Sequence, residues 1–162
     1  MVAIIAIWGT LIINLILTVA GYTWYLQEAP KPDKQLPEKI PFVTVMVPAH
    51  NEGIVIVKTV LSLLSFDYPH DHYEIIVIND NSSDNSAELL KEVQNDFGEE
   101  RLKVINTDNV TGGKGKSNAL NIGLKQAKGS VIAIYDADNT PERGALRLLV
   151  AELLGNDRLA AA

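Results

Sequence analysis

The chain has no cysteine among its 162 residues. A disulfide frame is thereby excluded, and so is any metal site or nucleophile built on thiolates, an absence that suits a reducing compartment. Charge is missing from one long stretch: no Asp, Glu, Lys or Arg occurs from Val2 to Leu26. As a helix, such a run is long enough to cross a hydrocarbon core of roughly 30 Å. A cleaved signal peptide would place a basic segment ahead of a shorter apolar core, and this sequence has neither. Basic surface is scarce as well. All charged side chains follow the apolar run, so the net charge of -6 belongs to the remainder. Such a surface repels the phosphate backbone of nucleic acids, which argues against DNA or RNA as partner. No Gly-x-Ser-x-Gly elbow occurs, and no Ser, His and Asp arrangement of hydrolase type stands out.

The apolar run reads as a membrane span over 1–26. Tyr22, Trp24 and Tyr25 sit at its exit end, where amphipathic rings favour the interface, and Lys31, Lys34 and Lys39 follow with nothing basic ahead. By the positive-inside tendency the N-terminus lies outside and the rest of the chain faces the cytoplasm. Asn14 reads as a single tolerated polar residue within the span. Four prolines among charges between Glu28 and Pro41 predict a stiff, polar linker over 27–41.

From residue 42 to 162 the sequence alternates. Runs rich in β-formers at Val43–Val47, Glu74–Ile78, Leu102–Ile105 and Val131–Tyr135 are each followed by a stretch with helical spacing. The helical apolar positions are Ile54, Val57, Leu61 and Leu64; Ala87, Leu90, Val93 and Phe97; Leu120, Leu124 and Ala127; Leu146, Leu149 and Leu153. Strand then helix, four times over, predicts an α/β domain with a parallel sheet and helices on both faces. The closing Arg158-Leu-Ala-Ala-Ala162 looks like the opening of a further strand, so the chain is expected to be part of a longer protein.

In open parallel sheets, ligands bind beyond the carboxyl ends of the strands. Every polar cluster of this chain falls there: Pro48-Ala-His-Asn-Glu52, Asn79-Asp-Asn-Ser-Ser-Asp84, Thr111-Gly-Gly-Lys-Gly-Lys-Ser117, and the pair Asp136 and Asp138. Capping accounts for part of this, since Ser83 or Asp84 would cap the second helix on any reading. Two carboxylates one residue apart at the end of an extended chain leave the same face and can reach one hard cation and the phosphates it carries. The glycine and lysine loop is not a Walker A loop, because Val110 stands where the first glycine is required. Nor is there a dinucleotide fingerprint, because Pro48 to Glu52 follows the first strand. What remains is a loop with two cations entering a helix, suited to holding a diphosphate. His50 lies on the rim as a possible ligand contact or a backbone support, whereas His70 and His72 belong to a polar connector.

Val43-Thr-Val-Met-Val-Pro-Ala-His-Asn-Glu52, Tyr68-Pro69, Glu74-Ile-Ile-Val-Ile-Asn-Asp-Asn-Ser-Ser-Asp84, Gly115-Lys-Ser-Asn-Ala-Leu-Asn-Ile-Gly-Leu124 and Asp136-Ala-Asp138 resemble, in order and spacing, glycosyltransferase family 2. The resemblance implies the GT-A fold, here its Rossmann-like, nucleotide-sugar-binding half. The span ahead of the domain is similar to the membrane-embedded processive branch, which includes synthases of cellulose, hyaluronan and poly-N-acetylglucosamine.

Carried onto this sequence, the resemblance implies that Pro48, Ala49 and Glu52 line a uridine pocket and that Asp80 accepts a hydrogen bond from uracil. It places Lys116 near the diphosphate, Asp136 against ribose or metal, and Asp138 on a Mg2+ or Mn2+ ion bridging both phosphates. Asn79 departs from the family's acidic residue at that place, and Asp80 is expected to keep the uracil contact. The implied enzyme is an inverting transferase at the cell membrane, taking a UDP-sugar and a saccharide or lipid-linked acceptor, and building a surface polysaccharide or glycolipid. The family's general base lies further along than this chain reaches, so the chain is expected to hold the donor without turnover on its own. Two other classes remain: a catalytically inactive membrane-tethered nucleotide-binding module, and a sugar nucleotidyltransferase. The second would show a glycine-rich signature after the first strand, which Pro48 to Glu52 does not provide.

Overall fold

A computed structural model of the protein describes residues 2–28, 36 and 38–155. Residues 29–35 and 37 of the predicted linker, with Lys31 and Lys34, lie outside the described residues, and so does the strand expected at Arg158 to Ala162. The chain divides into two compact units, residues 1–34 and 35–162.

The first unit holds helix α1, Val2–Glu28. Its large apolar side chains, among them Ile4, Trp8, Leu15 and Leu26, are exposed, and its 21-residue stretch Ile7–Gln27 is long and apolar enough to cross a membrane. The polar residues inside it turn back on their own backbone. Asn14 Nδ2 donates to the Thr10 carbonyl at 2.8 Å, Thr18 Oγ1 to Asn14 at 2.8 Å and Thr10 Oγ1 to Ile7 at 2.8 Å. Each of these side chains thus finds an acceptor one turn back in its own helix.

The second unit is a four-stranded parallel sheet. Its elements run β1 (Val43–Ala49), α2 (Ile56–Leu64), β2 (Tyr73–Asn79), α3 (Ser86–Phe97), β3 (Leu102–Asn106), α4 (Lys116–Leu124), β4 (Val131–Ile134) and α5 (Ala145–Leu154). The strand order is β3-β2-β1-β4. Ala49 pairs with Asn79 and Asn79 with Asn106, so three strands end level, while Met46 pairs with Ile134. The chain therefore steps outward from β1 in both directions, which opens a crevice above the strand ends.

Side-chain alternation splits the core into two layers. Val43, Val45, Val47, Ile75 and Val77 face Ile56, Val60 and Leu63 of α2, Leu90 of α3 and Leu146 of α5. Met46, Ile76 and Ile78 face the other way, against Ala119 of α4. A Cβ on Gly123 would meet Ile78 Cδ1 at 2.8 Å, so the small residues Ala119 and Gly123 let α4 lie close on that face. At the amino end of the sheet the buried Glu74 carboxylate accepts from Thr44 Oγ1 and from the Lys128 amide, each at 2.8 Å, and Thr44 Oγ1 in turn accepts from Gly129 N at 2.8 Å.

Leu90 and Val93 of α3 are buried as their spacing predicts, but the phase of α2 differs from the one expected. Glu52 O accepts from both Val55 N and Ile56 N, a turn that delays α2 to Ile56. Its buried stripe is Ile56, Thr59, Val60, Leu63 and Leu64, leaving Ile54 fully exposed and Leu61 outside the core. Where Ile54 to Val57 are all apolar, periodicity alone permits several phases. Phe97, Leu124 and Leu149 are likewise exposed at the ends or flanks of their helices.

Candidate nucleotide-binding site

The rim residues come together because β1 and β2 end in register. Asp80 N donates to Ala49 O at 2.7 Å, and His50 Nδ1 donates to Asp80 O at 2.7 Å, which fixes the proton on Nδ1. Nε2 of His50 then accepts from Asn51 Nδ2 at 3.1 Å. Asn51 and Asn81 are left-handed, with φ of 56° and 55°, a conformation asparagine tolerates better than most residues. Asn51 clamps the second rim loop, its amide donating to Ser82 Oγ at 2.9 Å and its Oδ1 accepting from Ser83 N at 2.8 Å. Asp84 accepts from Gly53 N at 2.9 Å and from Ser86 N at 3.0 Å. The Ser86 hydroxyl, together with those amides, holds its carboxyl below the usual carboxylate range.

The third loop closes on the second. Thr107 follows directly after β3 and stands beside Asp80, donating from Oγ1 to Asp80 Oδ1 at 2.9 Å. Gly113 N donates to the same oxygen at 2.9 Å. Between them Gly112 is buried, and a Cβ there would lie 1.9 Å from Thr107 Oγ1 and 2.5 Å from Asp80 Oδ1. Asp108 ties the loop internally. The Thr111 amide and hydroxyl and the Val110 amide donate to it and hold its carboxyl below the usual range.

These loops enclose an open cleft of about 350 Å³ lined by Pro48, Ala49, His50, Glu52, Asp80, Gly113, Gly115, Lys116 and Ala119. Five residues singled out in the sequence, Pro48, Ala49, Glu52, Asp80 and Lys116, thus share one cavity. Asp136 reaches it through an ion pair with Lys116 Nζ. Asp138 does not line it.

The two aspartates also sit differently from the extended strand end expected of them. β4 stops at Ile134, and residues 136–139 turn back, with Asn139 N donating to Asp136 O at 3.1 Å. Ala137 between them is buried, its carbonyl held by Thr59 Oγ1 at 2.7 Å, which leaves Asp136 and Asp138 on the solvent side. Among the described residues no three His, Cys, Asp or Glu side chains gather as a metal site. Two carboxylates suit a hard cation whose other ligands are phosphate oxygens and water.

Thr107 was not legible as a site residue, and Gly112 was legible only as a member of the Thr111 to Ser117 loop, not as the residue packed on Asp80. The signal for Thr107 is positional: it lies one residue past the partner of Asn79, as Asp80 lies one past Asn79 itself, which becomes visible once the β2–β3 register is known.

A parallel sheet with the Asp80 carboxylate and the helix-start Lys116 on one open cleft, and with Asp136 paired to that lysine, defines an α/β domain with GT-A-like architecture. The chain belongs to the family described as "Glycosyl transferase family 2", whose model matches residues 44–162. It is 39% identical over 158 residues to the probable glycosyltransferase YdaM of Bacillus subtilis, covering 96% of this chain and 37% of that protein. A solved mannosyltransferase of Pyrobaculum calidifontis, in complex with GDP-Man and Mn2+, superposes with a TM-score of 0.69 at 29% identity, over 85% of this chain and 39% of that one. TarS 1–349 of S. aureus in complex with UDP-GlcNAc superposes with a TM-score of 0.55 at 30% identity, over 65% of this chain and 29% of that one. The chain thus spans little more than a third of the length of the YdaM relative.

Proposed function

We propose that this chain is the donor-binding part of an inverting, membrane-bound glycosyltransferase that takes a UDP-sugar and extends a saccharide or lipid-linked acceptor toward a surface polysaccharide or glycolipid. The observation that carries the reading is the Asp80 carboxylate, fixed at the end of β2 and opening on the same cleft as Lys116. Pro48 and Ala49 supply an apolar wall for a pyrimidine ring, and Asp80 accepts from its N–H. Lys116, at the first turn of α4, sets a point charge and the helix start against the diphosphate.

Asp136 and Asp138 would hold a Mg2+ or Mn2+ ion, which supplies Lewis-acid neutralisation of the departing nucleoside diphosphate. Asp136 is paired with Lys116, so phosphates engaging Lys116 would leave Asp136 to the cation or the ribose. Helix α1 would anchor the domain on the cytoplasmic side of the cell membrane, over the division 1–26, 27–41 and 42–162.

The test is titration calorimetry of the full chain in detergent. Asp80→Ala should weaken UDP by about 10- to 100-fold, the worth of one hydrogen bond to a charged group, and leave pyrophosphate unchanged. Equal losses for both ligands would overturn the assignment of Asp80 to the base.

A further inference from the structure

Asp80 offers a ligand only one of its two oxygens. Oδ1 already accepts from Thr107 Oγ1 and from Gly113 N, both at 2.9 Å. Oδ2 accepts nothing from the described residues, yet it is not among the buried side-chain atoms left without a partner. Because Asp80 is 6% exposed and lines the cleft, the free oxygen is reached from there. A carboxylate with both oxygens open can take two parallel N–H donors; with both lone pairs of one oxygen filled it takes one.

Nucleobases differ in this respect. Uracil presents a single N–H between two carbonyls. Guanine presents N1–H and its exocyclic amine side by side, at the spacing that engages both oxygens of a carboxylate. We propose that Thr107 and the Gly113 amide set the nucleobase choice of this site by capping Oδ1 of Asp80, leaving an acceptor that suits uracil and denies guanine its second bond. The cap is built in rather than incidental, since Gly112 leaves no room for the loop to carry a side chain there. The proposal rests on the reading of the cleft as a UDP-sugar site and adds to it the device that excludes guanine nucleotides. Thr107 is in this sense a positioning residue, acting through Asp80.

Binding of UDP, GDP and pyrophosphate to the full chain in detergent with Mn2+, measured by calorimetry, tests it. Wild type should prefer UDP over GDP. Thr107→Val keeps the shape of the side chain and removes the hydroxyl; it should shrink that preference about tenfold, the scale of one hydrogen bond to a charged group, with pyrophosphate affinity unchanged. Thr107→Ser should restore the preference, and Thr107→Ala carries the same test if the valine variant does not fold. A wild type that prefers UDP, with variants that lose both nucleotides equally or lose neither, overturns the cap and leaves the UDP reading standing. A wild type that binds GDP as well as UDP overturns the UDP reading, and the cap falls with it.

Discussion

Gly112→Ala tests how tightly the glycine loop is seated on the Asp80 carboxylate. The new Cβ would fall 1.9 Å from Thr107 Oγ1, 2.5 Å from Asp80 Oδ1 and 2.7 Å from Thr107 Cβ. Real Cβ atoms do not approach below 3.0 Å, so Thr107 and the loop must separate by about 1 Å, a shift that overpacked sites accommodate at a cost of about 1–3 kcal/mol. The hydrogen bonds of 2.9 Å from Thr107 and Gly113 to Asp80 do not survive that shift, and each bond to an ionised group contributes about 1.5–3 kcal/mol.

If part of this loss is recovered by water, a net destabilisation of about 2–4 kcal/mol remains, lowering Tm by roughly 5–15 °C for a chain of this size. UDP binding should fall at least about tenfold, because the acceptor oxygen is no longer held in place. Both tryptophans, Trp8 and Trp24, lie in α1, so unfolding of the domain is followed by the near-ultraviolet signal of its tyrosines. Gly144→Ala is the control: its Cβ meets nothing within 4 Å, and the change should stay within about 0.5 kcal/mol. A Gly112→Ala protein that melts and binds UDP like wild type would refute the close packing of this loop on Asp80.

The remaining expectations concern the ends of the rim. Asp138→Ala should remove the gain in UDP affinity produced by Mn2+; equal calorimetric affinities with and without the ion in wild type would count against a metal role for this pair. Asp84, whose carboxyl is held low by the Ser86 hydroxyl and the Gly53 and Ser86 amides, contributes stability that is fully present above its unfolded value. That contribution is lost as pH falls below about 4 and through the depressed folded value. Asp84→Asn should therefore flatten the acid limb of a Tm-against-pH profile, and an unchanged limb would show that the clamp between the first two rim loops carries no stability.

The strands were legible because each is a short run in which nearly every side chain is apolar and many are β-branched, the pattern of a sheet covered on both faces. The rim was legible for a related reason: Pro48 to Glu52, Asn79 to Asp84 and the loop before Lys116 interrupt those runs with polar residues where strands end. The phase of α2 was not, because Ile54-Val-Ile-Val offers an apolar residue at every step and the Glu52 carbonyl decides where the helix begins. The cap on Asp80 was hidden by distance along the chain. Thr107 and Gly113 stand 27 and 33 residues from Asp80, and only the pairing of Asn79 with Asn106 brings them alongside. The aspartate pair was expected to project from an extended strand, but the turn closed by Asn139 sets its geometry instead.

The two ends of the sheet are built for opposite purposes. At the amino end, Glu74, Thr44 and the amides of Lys128 and Gly129 close a bonded clasp on Oε1 of a buried carboxyl, and a Cβ on Gly129 would run into Thr44 N at 2.4 Å. That clasp ties β1, β2 and the approach to β4 together without help from the rim loops at the opposite end. A redesign of the rim can therefore vary the exposed positions of residues 108–115, with the buried Gly112 kept, so long as positions 44, 74, 128 and 129 are left as the hinge pin on which the scaffold hangs.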